Sequence, residues 1–270
     1  DQTVEDFCEE LVKEFEQKIE ELGSENVAAF IAEPVLASGG CIVPPDGYFK
    51  KIYDVCKKNE IIFIADEVVT GFGRLGHFFS SEEIFGVVPD IITCAKGITS
   101  GYLPLGAVLF SNKLIADLKN DSSLFFHGYT YSGHPACCAA ALKNIEILKR
   151  DKILEHVKEI EPYFFKKLNS LYDLPIVGDI RGKGLMAGIE CVINKDSKEA
   201  LVLDQAIGSR IDEESIKLGL IIRPLYHICV LSPALIINKE QINELTEKLY
   251  QAISNTIDQL KTEGLWSQTK

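Results

Sequence analysis

Val4, Phe7, Leu11, Val12, Phe15, Ile19 and Leu22 recur three and four positions apart, the spacing of one face of an amphipathic helix. Thr3 with Asp6 resembles a capping box at its start, and Gly23 suits its end. The apolar run "VAAFIAEP" (27–34) predicts a strand, and a helix is expected near 46–59. Three further apolar runs, at 61–66, 90–96 and 105–111, predict three more strands. Continuously apolar strands separated by helices predict a parallel sheet covered on both faces. From Gly133 the pattern is helical through about 170, with Pro162 marking a break or a new first turn. "PIVGDIRGKGLMAGIECVI" then predicts a strand pair around a glycine-rich turn. A helix at about 203–218 follows, then the extended pieces "GLIIRP" and "ICVLSP", and a last helix from Lys239 to about Lys261. The change of pattern near 150 divides the chain into an α/β large domain (1–150) and a smaller α+β domain (151–270).

Composition narrows the function classes. With 270 residues the chain buries a substantial core. No apolar run approaches the roughly 20 residues needed to span a bilayer, and the acidic first ten residues are unlike a targeting peptide. A net charge of −12 argues against nucleic acid and anionic membranes as partners. The eight cysteines form no C-x-x-C, and most lie in apolar stretches. They read as buried free thiols in a reducing compartment, the cytoplasm or an organelle matrix. Five scattered histidines with no H-x-x-x-H pair give no expectation of a metal.

Gly71-Phe72-Gly73-Arg74-Leu75-Gly76 is a literal G-x-G-x-x-G. A dinucleotide fingerprint needs its glycines directly between strand and helix, with an acid about 20 positions on. Here four residues separate Asp66 from Gly71, "HFFSSEEIFG" opens a helix poorly, and Asp90 comes too early. The dinucleotide reading fails, and the glycines read as a loop whose backbone passes close to something. What remains is Asp66 at the end of one apolar strand and Lys96 at the end of another. In a parallel α/β sheet these ends line the ligand crevice. Taken singly, either residue reads first as a charged strand end meeting water.

The surrounding residues resolve this. "FIAEPVLASGG", "IADEVVTGFGRLG", "PDIITCAKGITSGYLPLGAV" and "FFHGYTYSGHP" occur in this order. Together with "DIRGKGLMAGIE" and "GLIIRPL" they resemble the class III (omega) aminotransferases, within which the wording is similar to omega-amino-acid and amine:pyruvate enzymes. The resemblance implies fold type I and the cofactor pyridoxal 5′-phosphate. It gives Lys96 the Schiff base, Asp66 the pyridine nitrogen, and Val68 one ring face. It gives Thr130 the phosphate of the neighbouring subunit's cofactor, and so implies a homodimer with a shared active site. Arg223 corresponds to the arginine that binds a substrate carboxylate, a task suited to a bidentate guanidinium, and Arg181 to a residue that orders the domain interface. Some relatives acting on ornithine-type or gamma-amino acids place a glutamate where this chain has Ser38, and its absence points to amine or omega-amino-acid donors.

The chain begins just before the strand leading to "AEP", whereas the family carries its phosphate loop and one ring-stacking aromatic further upstream. The expectation is therefore a fragment of a longer enzyme, partnered by a missing N-terminal segment, with apolar surface left to be covered. The expected activity of the parent is ping-pong transfer of an amino group from an amine or omega-amino acid to an oxoacid such as pyruvate. A decarboxylase, aminomutase or phospho-lyase of the same family uses the same residues. An inert fragment lacking the phosphate loop is the remaining alternative.

Overall fold

Thr3 starts the first helix, its Oγ1 accepting from the Asp6 N–H at 3.0 Å, and Gly23 at φ +77° stops it. The computed structural model describes residues 2–120, 125–197, 199–200 and 206–267. These form two compact units, Asp1–Pro34 with Pro44–Leu154, and Val35–Val43 with Glu155–Lys270.

The first unit runs α1 (Val4–Leu22), β1 (Ala29–Ala32), α2 (Tyr48–Lys58), β2 (Ile62–Asp66), α3 (Ser80–Glu83), β3 (Ile91–Cys94), β4 (Ala107–Phe110), α4 (Asn112–Asn120) and α5 (Pro135–Arg150). Its sheet has the order β1-β2-β3-β4. Val12 and Ile19 of α1 and Phe49, Ile52 and Val55 of α2 bury against Phe63. Phe63 meets the ring of Phe49 edge-on at 5.2 Å, a geometry that adds to its area burial.

β1, β2 and β3 are parallel, with Ala32 level with Ala65 and Asp66 level with Thr93. The sheet is mainly parallel, as expected, with β4 the exception: it runs antiparallel to β3, with Cys94 level with Ala107. The connection 95–106 holds only the single 3-10 turn Lys96–Ile98, too little for the helical crossover that a parallel pair needs. Full cover on both faces fails at the edges as well, since Ile31 on β1 and Val108 and Leu109 on β4 are exposed.

The second unit contains α6 (Ile153–Leu168), β5 (Val177–Lys183), β6 (Met186–Asn194), β7 (Glu199–Ala200), α7 (Ile207–Lys217), β8 (Arg223–Leu225), β9 (Ile228–Leu231) and α8 (Lys239–Thr262). An antiparallel sheet, β5-β6-β9-β8 with β7 on β6, packs its Ile189 with Phe164, Leu168, Ile211, Leu249 and Ile253. The start expected for α7, at 203, lies outside the described residues. Pro162 does not break the chain; it sits inside α6, where Val157, Ile160, Phe164 and Leu168 are buried on both sides of it. Burial of that stripe offsets the lost helical hydrogen bond. The break falls instead at Asp151–Lys152, where Lys152 takes φ +51°. Residues 35–43 join the second unit through the bridge Leu36–Ile42 and the Gly40 carbonyl, which accepts from Arg181 Nε at 2.9 Å.

α8 opens on a reciprocal capping box: Asn238 Oδ1 accepts from the Gln241 N–H at 2.8 Å, and Gln241 Oε1 accepts from the Asn238 N–H at 3.0 Å. Asn238→Ala is expected to lower stability by about 1 kcal/mol, read as a shifted urea midpoint at constant slope. All eight cysteines are free and seven are buried. Burial pushes the Cys56 thiol up to about 11, which keeps it protonated and unreactive at neutral pH. Among the described residues no helix is long and apolar enough to cross a membrane.

Candidate active site

Because β2 and β3 run parallel with Asp66 level with Thr93, their C-terminal ends finish on one edge of the sheet. Asp66 is the last residue of β2 and is half-buried. Its Oδ1 accepts from the Val68 N–H at 3.0 Å, an Asx turn that orients the carboxylate. Three residues beyond Thr93, Lys96 opens the 3-10 turn Lys96–Ile98 with φ +41°. The lysine is exposed, and Val68 is half-buried. The structure thus places Asp66, Val68 and Lys96 at the ends of neighbouring strands.

The glycine loop between them folds on itself. The N–H groups of Gly71, Phe72, Gly73 and Gly76 donate to the carbonyls of Glu67, Phe78, His77 and Gly73 at 2.8–2.9 Å. These amides are therefore committed within the loop rather than offered to a phosphate. Asp90 precedes the first residue of β3, the opposite end of the strand from Lys96, where it accepts from the Phe63 N–H at 2.9 Å and from Lys57 at 2.6 Å. Both halves of a dinucleotide fingerprint have other work. The loop's close approach is to the lysine turn: a Cβ on Gly97 would lie 2.9 Å from Phe72 Cβ and 3.1 Å from the Gly71 carbonyl. Only glycine lets the turn settle there.

Sequence reasoning singles out Asp66 and passes over its neighbour. Glu67 is fully buried. Its carboxylate accepts from Thr70 Oγ1 at 2.6 Å, Ser80 Oγ at 2.7 Å and the Ser81 N–H at 2.6 Å. It closes the loop from inside. The available signal was a second carboxylate directly after an apolar strand, followed by hydroxyl side chains downstream.

Thr130 lies exposed in the loop before α5, where the Tyr129 N–H donates to Ser132 Oγ at 2.8 Å. Arg223 and Ser38 belong to the second unit. Arg223 is the exposed first residue of β8 and lines a pocket with Val230, Ser232 and Leu245. Ser38 is exposed at the tip of the turn between Leu36 and Ile42. Arg181 pairs within that unit with Asp179 at 2.8 Å and with Glu190. Among the described residues no group of three or more His, Cys, Asp or Glu converges as a metal site.

The donor set of the first unit suits a pyridoxal ring. An oriented carboxylate matches a protonated ring nitrogen, an apolar Val68 matches a ring face, and a primary amine matches an aldehyde. Thr93 Oγ1, level with Asp66 along the sheet, is buried with no hydrogen-bond partner among the described residues. Such an orphaned hydroxyl is what a polar ligand substituent would satisfy.

The class-III aminotransferase family model matches residues 1–253. The chain is 43% identical to the putrescine–pyruvate aminotransferase of Pseudomonas aeruginosa, over 95% of this chain and 56% of that protein. The crystal structure of a thermostable (S)-enantioselective omega-transaminase from Thermomicrobium roseum superposes with a TM-score of 0.91 at 43% identity, covering 95% of this chain and 57% of that one. The PMP-bound aminotransferase of Vibrio fluvialis gives 0.89 at 35% identity, with 95% and 57% covered. The chain spans about half the length of the curated relatives it matches. Its fold is that of the fold type I enzymes, whose cofactor in this family is pyridoxal phosphate. A family match across nearly the whole chain and a shared fold at this identity lead to one conclusion: the chain belongs to the class-III aminotransferases.

Proposed function

We propose that the whole protein is a pyridoxal-phosphate-dependent aminotransferase that moves an amino group from an amine or omega-amino acid to an oxoacid such as pyruvate. The observation that carries this is the placement of Asp66 at the end of β2 and of Lys96 two residues past the end of β3, the adjacent parallel strand. The putrescine–pyruvate relative supports an amine as donor and pyruvate as acceptor.

When bound, pyridoxal phosphate supplies an aldehyde that condenses with amines and a ring that takes up the electron pair left when the donor's C–H bond breaks. Asp66 holds a proton on the ring nitrogen, which keeps that ring electron-poor. Val68 packs on one ring face. Lys96 Nζ would be the amine that attaches the cofactor and, once free, the base that carries the proton released from the donor's C–H bond. Arg223 binds a carboxylate of donor or acceptor through two parallel N–H donors of its guanidinium. Ser38, with no charge to compete for that arginine, leaves it free to do so. Thr130 donates its hydroxyl to the cofactor phosphate of a second copy, so the working form is a homodimer. The protein works in a reducing compartment, the cytoplasm or an organelle matrix, where its thiols persist.

Acceptor dependence tests the reaction type. With amino donor but no oxoacid, product is expected to stop at about one equivalent per active site, as ping-pong kinetics require. Adding pyruvate restores turnover and yields alanine in equal amount. Sustained product formation without an acceptor would overturn amino transfer in favour of a decarboxylase or lyase.

A further inference from the structure

Lys96 at φ +41° and Ser100 at +51° hold the lysine turn in a backbone region that side chains other than glycine seldom occupy. Such a conformation persists only where its surroundings over-determine it. One support is the contact of Gly97 with Gly71 and Phe72. A second comes from α5. Asn144 Nδ2 donates to the Gly97 carbonyl at 2.8 Å and to the Ile98 carbonyl at 3.1 Å, while Asn144 Oδ1 accepts from Ser100 Oγ at 2.7 Å. One amide thus spends both N–H groups and its oxygen on the turn that starts at Lys96. Helix α5 is itself anchored by the buried Cys137, Ala141 and Leu148, so the amide projects from a fixed element. No other uncharged side chain except glutamine offers two donors and an acceptor in one plane.

We propose that Asn144 is a positioning residue for Lys96: it locks the Lys96–Ser100 turn and so fixes the backbone from which the lysine amine projects. This rests on the function proposed for Lys96. Asn144 touches neither the reacting atoms nor a charge, so its effect is on geometry. Proton transfer depends on that geometry more steeply than substrate binding does.

The test uses the whole protein with cofactor and borohydride, which fixes cofactor mass on a lysine that holds it. Asn144→Asp keeps the shape but has no N–H to donate. It is expected to lower kcat about tenfold while KM for the amino donor stays within about twofold. Fixation of cofactor mass on Lys96 slows by a similar factor. Asn144→Gln, which retains both donors, recovers kcat to within about threefold of wild type. Ser100→Ala removes only the hydrogen bond that orients the amide and slows fixation about twofold. An Asn144→Asp protein with kcat and fixation unchanged, or with raised KM at constant kcat, would overturn the role. If that variant fails to fold, unchanged fixation in Ser100→Ala does the same. A wild-type protein that fixes no cofactor overturns the proposed function and this role together, whereas equal fixation in wild type and variant overturns this role alone.

Discussion

Lys96→Ala in the whole protein lowers transamination by more than about 10⁴-fold, and borohydride no longer fixes cofactor mass on the chain. Two functions are lost at once. Acid–base transfer by a positioned group alone contributes about 10²–10⁴-fold, and loss of the covalent attachment adds to it. No second amine stands in on the same strand end: the turn continues Gly97, Ile98, Thr99, Ser100. The backbone at 96 keeps φ +41° in either protein, and alanine meets the same steric cost there as lysine, so folding is expected to be little changed. The measurements are initial rates with saturating donor and acceptor, intact mass after borohydride, and a denaturation midpoint as control. A variant that still transaminates at a tenth of the wild-type rate or more would remove Lys96 from the chemistry and the proposed function with it.

The strand ends that carry this pair were legible in the sequence because unbroken apolar runs stop at Asp66 and just before Lys96, and the structure ends β2 and β3 within two residues of those points. Strand direction does not follow from alternation or apolar runs, which are the same read in either sense; the signal that β4 turns antiparallel lay in the eight residues between the predicted strands at 90–96 and 105–111, too few for a parallel crossover. Pro162 misled for a related reason: its local preference is real, but burial of Phe164 and Leu168 beyond it carries the helix through. The placement of residues 35–43 depends on an Arg181–Gly40 contact 141 positions apart, beyond any local pattern. At the site, spacing alone left Asp66 and Lys96 open to a bland reading as solvated charges. The chemistry came from motif wording shared with a family. Glu67 and Asn144 stayed hidden because their partners are set by loop and helix geometry, 13 and 14 residues away for Ser80 and Ser81 and 47 for Gly97.

Those loop contacts lead to the second large effect, on stability. Glu67→Ala is expected to destabilise the whole protein by about 3–4 kcal/mol. The fully buried carboxylate accepts three hydrogen bonds, and truncation strands two hydroxyls and one backbone N–H away from water. Each stranded group costs about 1–3 kcal/mol. The hydroxyls of Thr70 and Ser80 rotate to recover part of this, whereas the Ser81 N–H is fixed by the first turn of α3 and does not. Against a typical total of about 5–15 kcal/mol, such a loss is large. Glu67→Gln separates charge from shape: its oxygen still accepts from the Ser81 N–H, so about half the stability is expected to return. The readout is the urea midpoint of wild type, Ala and Gln variants at constant slope. A loss below about 1 kcal/mol in the Ala variant would mean that the loop finds other partners and that Glu67 is not its clasp. A loss of that size in Ala with about half of it recovered in Gln would show that Glu67 clasps the loop from inside, the Ser81 N–H needing its oxygen and the hydroxyls its charge.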